Sequence, residues 1–179
     1  MKILVTGCAG FIGSHLCEEL LKEKHNVVGL DNLNDYYDVT QKLNNLKILN
    51  TYENFTFCKD DIVTTNIISS NNFDVVVNLA AMAGVRYSLQ NPTLYMKVNI
   101  EGQTNLLQQC VSKKVPHFVY ASSSSVYGMN DKVPFSEKDS IKKLNSPYAA
   151  SKKATETIAQ LYNQLYGIST IGLRFFTVY

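Results

Sequence analysis

Three glycines at three-residue spacing, Gly7, Gly10 and Gly13, stand between an apolar run and a stretch of helical periodicity. Lys2–Thr6 reads as a buried strand. Ile12–Lys24 reads as a helix, with Leu16, Leu20 and Leu21 on one face. A strand that turns this tightly into a helix needs backbone free of side chains. The same turn leaves the first helical N–H groups, around Phe11 and Ile12, without intrahelical partners. Those groups suit an anion such as a pyrophosphate. A bare βα turn would need the glycines too, but strand, glycines and helix stand here in the order that dinucleotide binding requires.

The alternation continues along the chain. Strands are predicted at Asn26–Leu30, Phe55–Lys59, Asp74–Leu79, His117–Ala121 and Ser169–Arg174. Helices are predicted at Tyr36–Leu49, Thr64–Ser70, Thr93–Lys113 and Tyr148–Tyr166, the last stopped by Gly167. Asp131–Pro147, with two prolines and no period, reads as a long loop before the last helix. The strands are near-continuous apolar runs, as strands buried on both faces should be. The predicted class is therefore α/β, a doubly wound parallel sheet with helices on both faces, in a single domain over 1–179.

Composition narrows the function. Of 179 residues 45% are hydrophobic and 18% charged, and the net charge is +2, which implies no nucleic-acid surface. The apolar runs are too short to span a bilayer, and Met1 leads directly into the first strand, so no membrane anchor or leader is expected. Cys8, Cys17, Cys58 and Cys110 are scattered, as are His15, His25 and His117. That pattern predicts a reduced, cytoplasmic protein and no metal site.

The chemistry concentrates at the carboxyl ends of the strands, where open parallel sheets bind ligands. Asp31 ends the second strand and is placed to accept hydrogen bonds from ribose hydroxyls and to repel a 2′-phosphate, which favours NAD over NADP. Asn32 follows it. Asp61 and Ile62 follow the third strand, where Asp61 is either an adenine contact or a helix cap. Arg86, after the fourth strand, is either an anion clamp or a surface residue. Ser122, Ser123, Ser124 and Ser125 leave the fifth strand and offer hydroxyls to a developing charge. Tyr148 and Lys152, four apart, share one helix face. An ammonium there would favour the phenolate, letting Tyr148 act as a base below its usual pKa of about 10.

The glycine triplet, the serine run, Tyr148-Ala-Ala-Ser-Lys152 and the closing Arg174-Phe-Phe-Thr-Val-Tyr179 together resemble the extended short-chain dehydrogenase/reductase family, over the whole chain. Within it, Asp31–Asp38, Leu79–Pro92, Tyr120–Gly128 and Leu173–Tyr179 look closest to the UDP-glucuronate 4-epimerase branch. The resemblance implies a Rossmann-type domain that holds NAD and a UDP-sugar. Tyr148 would deprotonate the sugar 4-hydroxyl while NAD takes hydride from C4. The 4-keto sugar would turn over and hydride would return to its other face. Lys152 would hold the nicotinamide ribose and lower the Tyr148 pKa, with Ser123 as the catalytic hydroxyl. Leu79, Ala80, Ala81 and Asn99 match contacts around NAD. Ser124, Ser125 and Thr177 match positions that meet the sugar carboxylate, near Arg86. Two long helices, Thr93–Lys113 and Tyr148–Tyr166, imply a homodimer.

Two departures refine this. Related 4,6-dehydratases place an Asp-Glu pair where this chain has Ser124 and Ser125, and decarboxylating relatives place a Glu at 125; elimination needs such groups. Members of the family also run to roughly twice this length, so the lobe that covers the uridine is expected to be absent from 1–179. A non-catalytic NAD-binding module, and a relative acting on another nucleotide sugar, remain as alternative readings.

Overall fold

The structure is a computed structural model that describes residues 1–139, 141 and 143–179. Six strands form one sheet: β1 (Lys2–Thr6), β2 (Asn26–Asp31), β3 (Phe55–Lys59), β4 (Val75–Asn78), β5 (His117–Ser123) and β6 (Ser169–Phe175). Their spatial order is β3-β2-β1-β4-β5-β6 and every neighbouring pair is parallel. The order reverses between β1 and β4, and that switch point fixes where a ligand can enter.

Side-chain alternation along the strands divides the core into two layers. Ile3, Val5 and Val77 pack with Cys17 and Leu21 of α1 (Phe11–Lys22) and Leu46 and Leu49 of α2 (Val39–Leu49). Leu4, Val76 and Phe118 face the other way. They meet Leu106, Leu107 and Cys110 of α5 (Gln103–Lys113) and Ala159 of α6 (Pro147–Tyr166). The sheet is thus covered on both faces, the doubly wound arrangement expected from the strand pattern. No helix among the described residues is long and apolar enough to cross a membrane.

Several elements differ from expectation. The predicted helix over Thr64–Ser70 is a pair of turns. There the Asp61 carboxylate accepts the Val63 N–H at 2.9 Å and the Thr65 hydroxyl accepts the Ile67 N–H at 3.2 Å. Such local side-chain bonds compete with helix formation. Helix α2 begins at Val39 because the Asp38 carboxylate caps the Thr40 N–H at 2.9 Å, which leaves Tyr36 and Tyr37 in the loop before it. A short helix, α3 (Val85–Gln90), follows the β4 loop unannounced by any period. The long helix starts as α4 (Pro92–Tyr95) and runs into α5 through a π-helical stretch, Met96–Gly102. The predicted loop Asp131–Pro147 remains without helix or strand up to Ser146, with positions 140 and 142 outside the described residues.

Candidate active site

A cleft of about 360 Å³ opens at the carboxyl ends of β1, β2 and β4. Gly7, Gly10, Phe11, Ile12 and Gly13 form its floor. Gly7 has φ of 69°, and a side chain on it would meet the Ala80 backbone nitrogen at 2.8 Å. A Cβ on Gly13 would lie 2.1 Å from the Gly7 carbonyl oxygen. Helix α1 begins at Phe11 with Gly10 as its cap. No side chain caps it and no acidic residue occupies its first turn. Its positive end therefore faces the cleft uncompensated, as an anion site requires.

Asp31, Asn32, Asp61 and Ile62 line one end of the cleft, and Leu79, Ala80 and Ala81 line the switch-point wall. The Asp31 carboxylate is buried and accepts the Ala9 N–H at 3.3 Å and the Leu33 N–H at 2.8 Å. Asn32 donates to Asp61 at 2.9 Å, joining the ends of β2 and β3. Asp61 also accepts the Val63 N–H at 2.9 Å, so it caps a turn where a helix cap was one of its two expected roles.

Beyond Ala121, which lines the cleft, Ser123 and Tyr148 come together. Ser123 ends β5 and its hydroxyl oxygen accepts the Ser125 N–H at 3.1 Å. That bond fixes the rotamer and leaves the hydroxyl proton free to be donated. Tyr148 lies in the first turn of α6, whose N-terminus is set by Ser146 accepting the Ala149 N–H and by Pro147. Burial pushes the Tyr148 phenol above its usual pKa; the Ser123 hydroxyl works against that rise and nearby Tyr36 adds to it. Lys152 is buried one turn on, and its ammonium donates to the Ala121 carbonyl at 2.8 Å. Burial pulls it down to about 8. The expected depression of Tyr148 by Lys152 is therefore corrected. The two share a helix face, but Lys152 is turned onto the β5 backbone, and desolvation of the phenol outweighs what lowers it.

The remaining predicted residues divide. The Ser122 hydroxyl points to the opposite side of β5 from that of Ser123 and donates to Glu156 at 2.6 Å, so its side chain is turned away from the cleft. Glu156 is also held by Arg174 through two bonds, at 2.8 and 3.0 Å. Asn99 is buried and braces the β4 loop. It accepts the Met82 N–H at 2.8 Å, donates to the Met82 carbonyl at 3.0 Å and donates to Ser151 at 2.9 Å. It supports the wall of the cleft rather than lining it. Ser124 and Ser125 form a 3₁₀ turn beyond Ser123. Arg86, on α3, and Thr177, beyond β6, are exposed.

The sequence reading missed a row of tyrosines. Tyr36, Tyr87, Tyr95 and Tyr148 follow one another at centroid distances of 5.1, 6.3 and 6.0 Å. Tyr95 is anchored by donating to the Ala83 and Gly84 carbonyls. Lys42, Phe175, Phe176 and Val178 also line the cleft unforeseen. The Asp31–Asp38 segment was legible as a signature, but nothing in it said which side chains turn inward.

The profile of the NAD dependent epimerase/dehydratase family matches residues 3–179. The chain belongs to that family. Protein CapI of Staphylococcus aureus is 50% identical over all of this chain and 54% of its own length. UDP-glucuronate 4-epimerase 4 of Arabidopsis thaliana is 48% identical over all of this chain and 42% of its own length. The crystal structure of a UDP-glucuronic acid 4-epimerase from Bacillus cereus, in complex with UDP-glucuronic acid and NAD, superposes with a TM-score of 0.94. It is 40% identical, over all of this chain and 57% of that one. The chain spans about half the length of the curated relatives it matches.

NAD is the cofactor of the epimerase/dehydratase family, and the cleft fits it. The glycine floor leaves room for a pyrophosphate at backbone distance, the uncapped end of α1 would receive its charge, and Asp31 would be the residue to meet the adenosine ribose. Gly13→Ala is expected to force α1 off the turn. Overpacking of this kind costs about 1–3 kcal/mol. A lower thermal midpoint together with NAD affinity reduced at least about tenfold, measured by calorimetry, is the expected result; unchanged NAD affinity would show that the contact relaxes harmlessly.

Proposed function

We propose that this chain is the NAD-binding and catalytic part of a nucleotide-sugar 4-epimerase, and that its substrate is a UDP-hexuronate, UDP-glucuronate being converted to UDP-galacturonate through a 4-keto sugar. The observation that carries the reading is the meeting of Ser123 and Tyr148 beside the nucleotide cleft, followed by hydroxyls rather than carboxylates at 124 and 125. Elimination needs an acid and a base in that turn. Ser124 and Ser125 supply neither, so the site is suited to moving one proton and returning it.

Tyr148 is the group that takes the proton of the sugar 4-hydroxyl and later gives it back. It accepts that proton as the phenolate. Burial raises its pKa in the protein alone, so the phenolate would depend on the positive charge of the oxidised nicotinamide of bound NAD. The phenol left by the first step is the form that gives the proton back. Ser123, its acceptor position filled by the Ser125 N–H, donates to the same sugar oxygen and holds it against Tyr148. Lys152, buried beside Ala121 at the cleft wall, would hold the nicotinamide ribose of bound NAD. NAD, when bound, supplies reversible oxidation at C4, so no net redox change results. Ser124, Ser125 and Thr177 would meet the sugar carboxylate, with Arg86 as its nearest proposed cation.

A homodimer through α5 and α6 is part of this proposal, supported by Leu161, Leu165 and Tyr166 standing exposed on α6; sedimentation equilibrium returning only monomer would remove it. A cytoplasmic location, supported by four free cysteines, would be overturned by a fluorescent fusion found elsewhere. The epimerase reading itself is tested by product analysis with UDP-glucuronate. Turnover of UDP-glucose instead would keep the reaction and displace the substrate.

A further inference from the structure

Lys42 is the one cation among the described residues lining the cleft, which at the same end carries the carboxylates of Asp31, Asp60 and Asp61. It projects from α2 and is only 4% exposed, against 5% for Asp31. Its ammonium lies 3.4 Å from Asp31 Oδ1, donates to Asn34 Oδ1 at 3.0 Å and sits 5.1 Å from the centre of the Tyr37 ring. The Asp31 carboxylate is thus engaged on both oxygens, by two backbone N–H groups and by this ammonium.

We infer that Lys42 is a specificity residue of the cofactor site: a latent partner for a 2′-phosphate, kept occupied by Asp31 so that the site accepts the plain ribose. The inference rests on the assignment of this cleft to NAD. A buried ammonium must be paired, because an isolated charge is expensive away from water. In the native arrangement Asp31 meets that need. A ribose diol can add its hydroxyls to the pair without separating it. A 2′-phosphate cannot: it would face the Asp31 carboxylate, and the ammonium that could neutralise it is already held. Asp31 therefore supplies the repulsion, and Lys42 sets its strength by neutralising part of that charge while staying unavailable to the phosphate. Removing the carboxylate charge leaves Lys42 unpaired in a poorly solvated pocket, where an ammonium–phosphate contact is strong.

The test compares ADP-ribose with 2′-phospho-ADP-ribose by titration calorimetry on the full-length protein stripped of cofactor. Neither probe carries a nicotinamide, so binding is read without turnover. Wild type is expected to prefer ADP-ribose. Asp31→Asn is expected to gain at least about tenfold in affinity for the phosphorylated probe, about 1.4 kcal/mol. The double variant Asp31→Asn/Lys42→Met is expected to lose that gain. No gain in Asp31→Asn, or a gain that survives loss of Lys42, overturns the inference. Wild type binding neither ADP-ribose nor NAD would instead remove the assignment of the cleft, and the inference with it.

Should Asp31→Asn fail to fold, Lys42→Met in the native background decides. With Asp31 no longer neutralised, the phosphorylated probe should weaken by at least about fivefold more than ADP-ribose, measured by competition against NAD. Equal weakening of both probes would make Lys42 merely structural and overturn the inference.

Discussion

Tyr148→Phe in the full-length protein is expected to lower epimerisation by about 10²–10⁴-fold, the usual worth of a positioned acid–base group. NAD affinity should change by less than about threefold, because the substitution removes one hydroxyl at the reacting end and leaves the glycine floor, α1 and Asp31 untouched. The helix should also keep its position. Its first turn is fixed by Ser146, Pro147 and the Ser151 hydroxyl donating to the Tyr148 carbonyl, none of which involves the phenol. The Tyr148 ring is held edge-on against Tyr95 at 6.0 Å, a contact that Phe retains. A variant with intact NAD binding and near-native turnover would show that another group moves the proton.

Lys152→Met is expected to stabilise the fold at neutral pH while impairing catalysis. The ammonium is buried, and desolvation pulls it from the usual 10.5 to about 8. Below pH 8 it is charged in folded and unfolded chains alike, and burying that charge costs on the order of 3 kcal/mol. The bond to the Ala121 carbonyl offsets about 1 kcal/mol of this and is lost in the variant. A net gain of about 2 kcal/mol is expected at pH 7. The sign of the pH dependence follows from proton counting. Between pH 8 and 10.5 the unfolded chain binds more protons at this position than the folded one, so wild type gains stability as pH rises. The advantage of Lys152→Met should therefore be full below pH 8 and fade towards pH 10.5 in paired denaturant titrations. A difference independent of pH across that window would contradict the account. Such a cost, borne at a position beside the reacting group, is what a functional lysine looks like in energetic terms.

The sheet was legible in the chain because its strands are apolar on both faces: Leu4 and Val5 point to opposite layers, and both must be hydrophobic. The glycine floor was legible for the opposite reason, since no other residue fits where Gly13 nearly touches the Gly7 carbonyl. What escaped depended on rotamers and local competition. Asn99 carried a recognisable position, but its amide serves Met82 and Ser151 within a π-helical stretch that no periodicity announces. Ser122 and Ser123 look equivalent in sequence, yet strand alternation sends one hydroxyl to Glu156 and leaves the other beside Tyr148. Thr64–Ser70 has helical spacing but loses to the side-chain bonds of Asp61 and Thr65. The Tyr148–Lys152 spacing was read for its charge coupling, and burial proved the stronger effect on both groups. Lys42 gave no signal at all, because its partner Asp31 sits on another element and the two meet only once the helix α2 is docked.

The most direct test of the central claim is a product assay on the full-length protein with UDP-glucuronate and no added reductant, followed by proton magnetic resonance of the sugar ring. The account predicts an equilibrium mixture of UDP-glucuronate and UDP-galacturonate with no net change in NAD oxidation state. UDP-glucuronate left unchanged by NAD-loaded protein, or consumed with release of carbon dioxide or water, would contradict it.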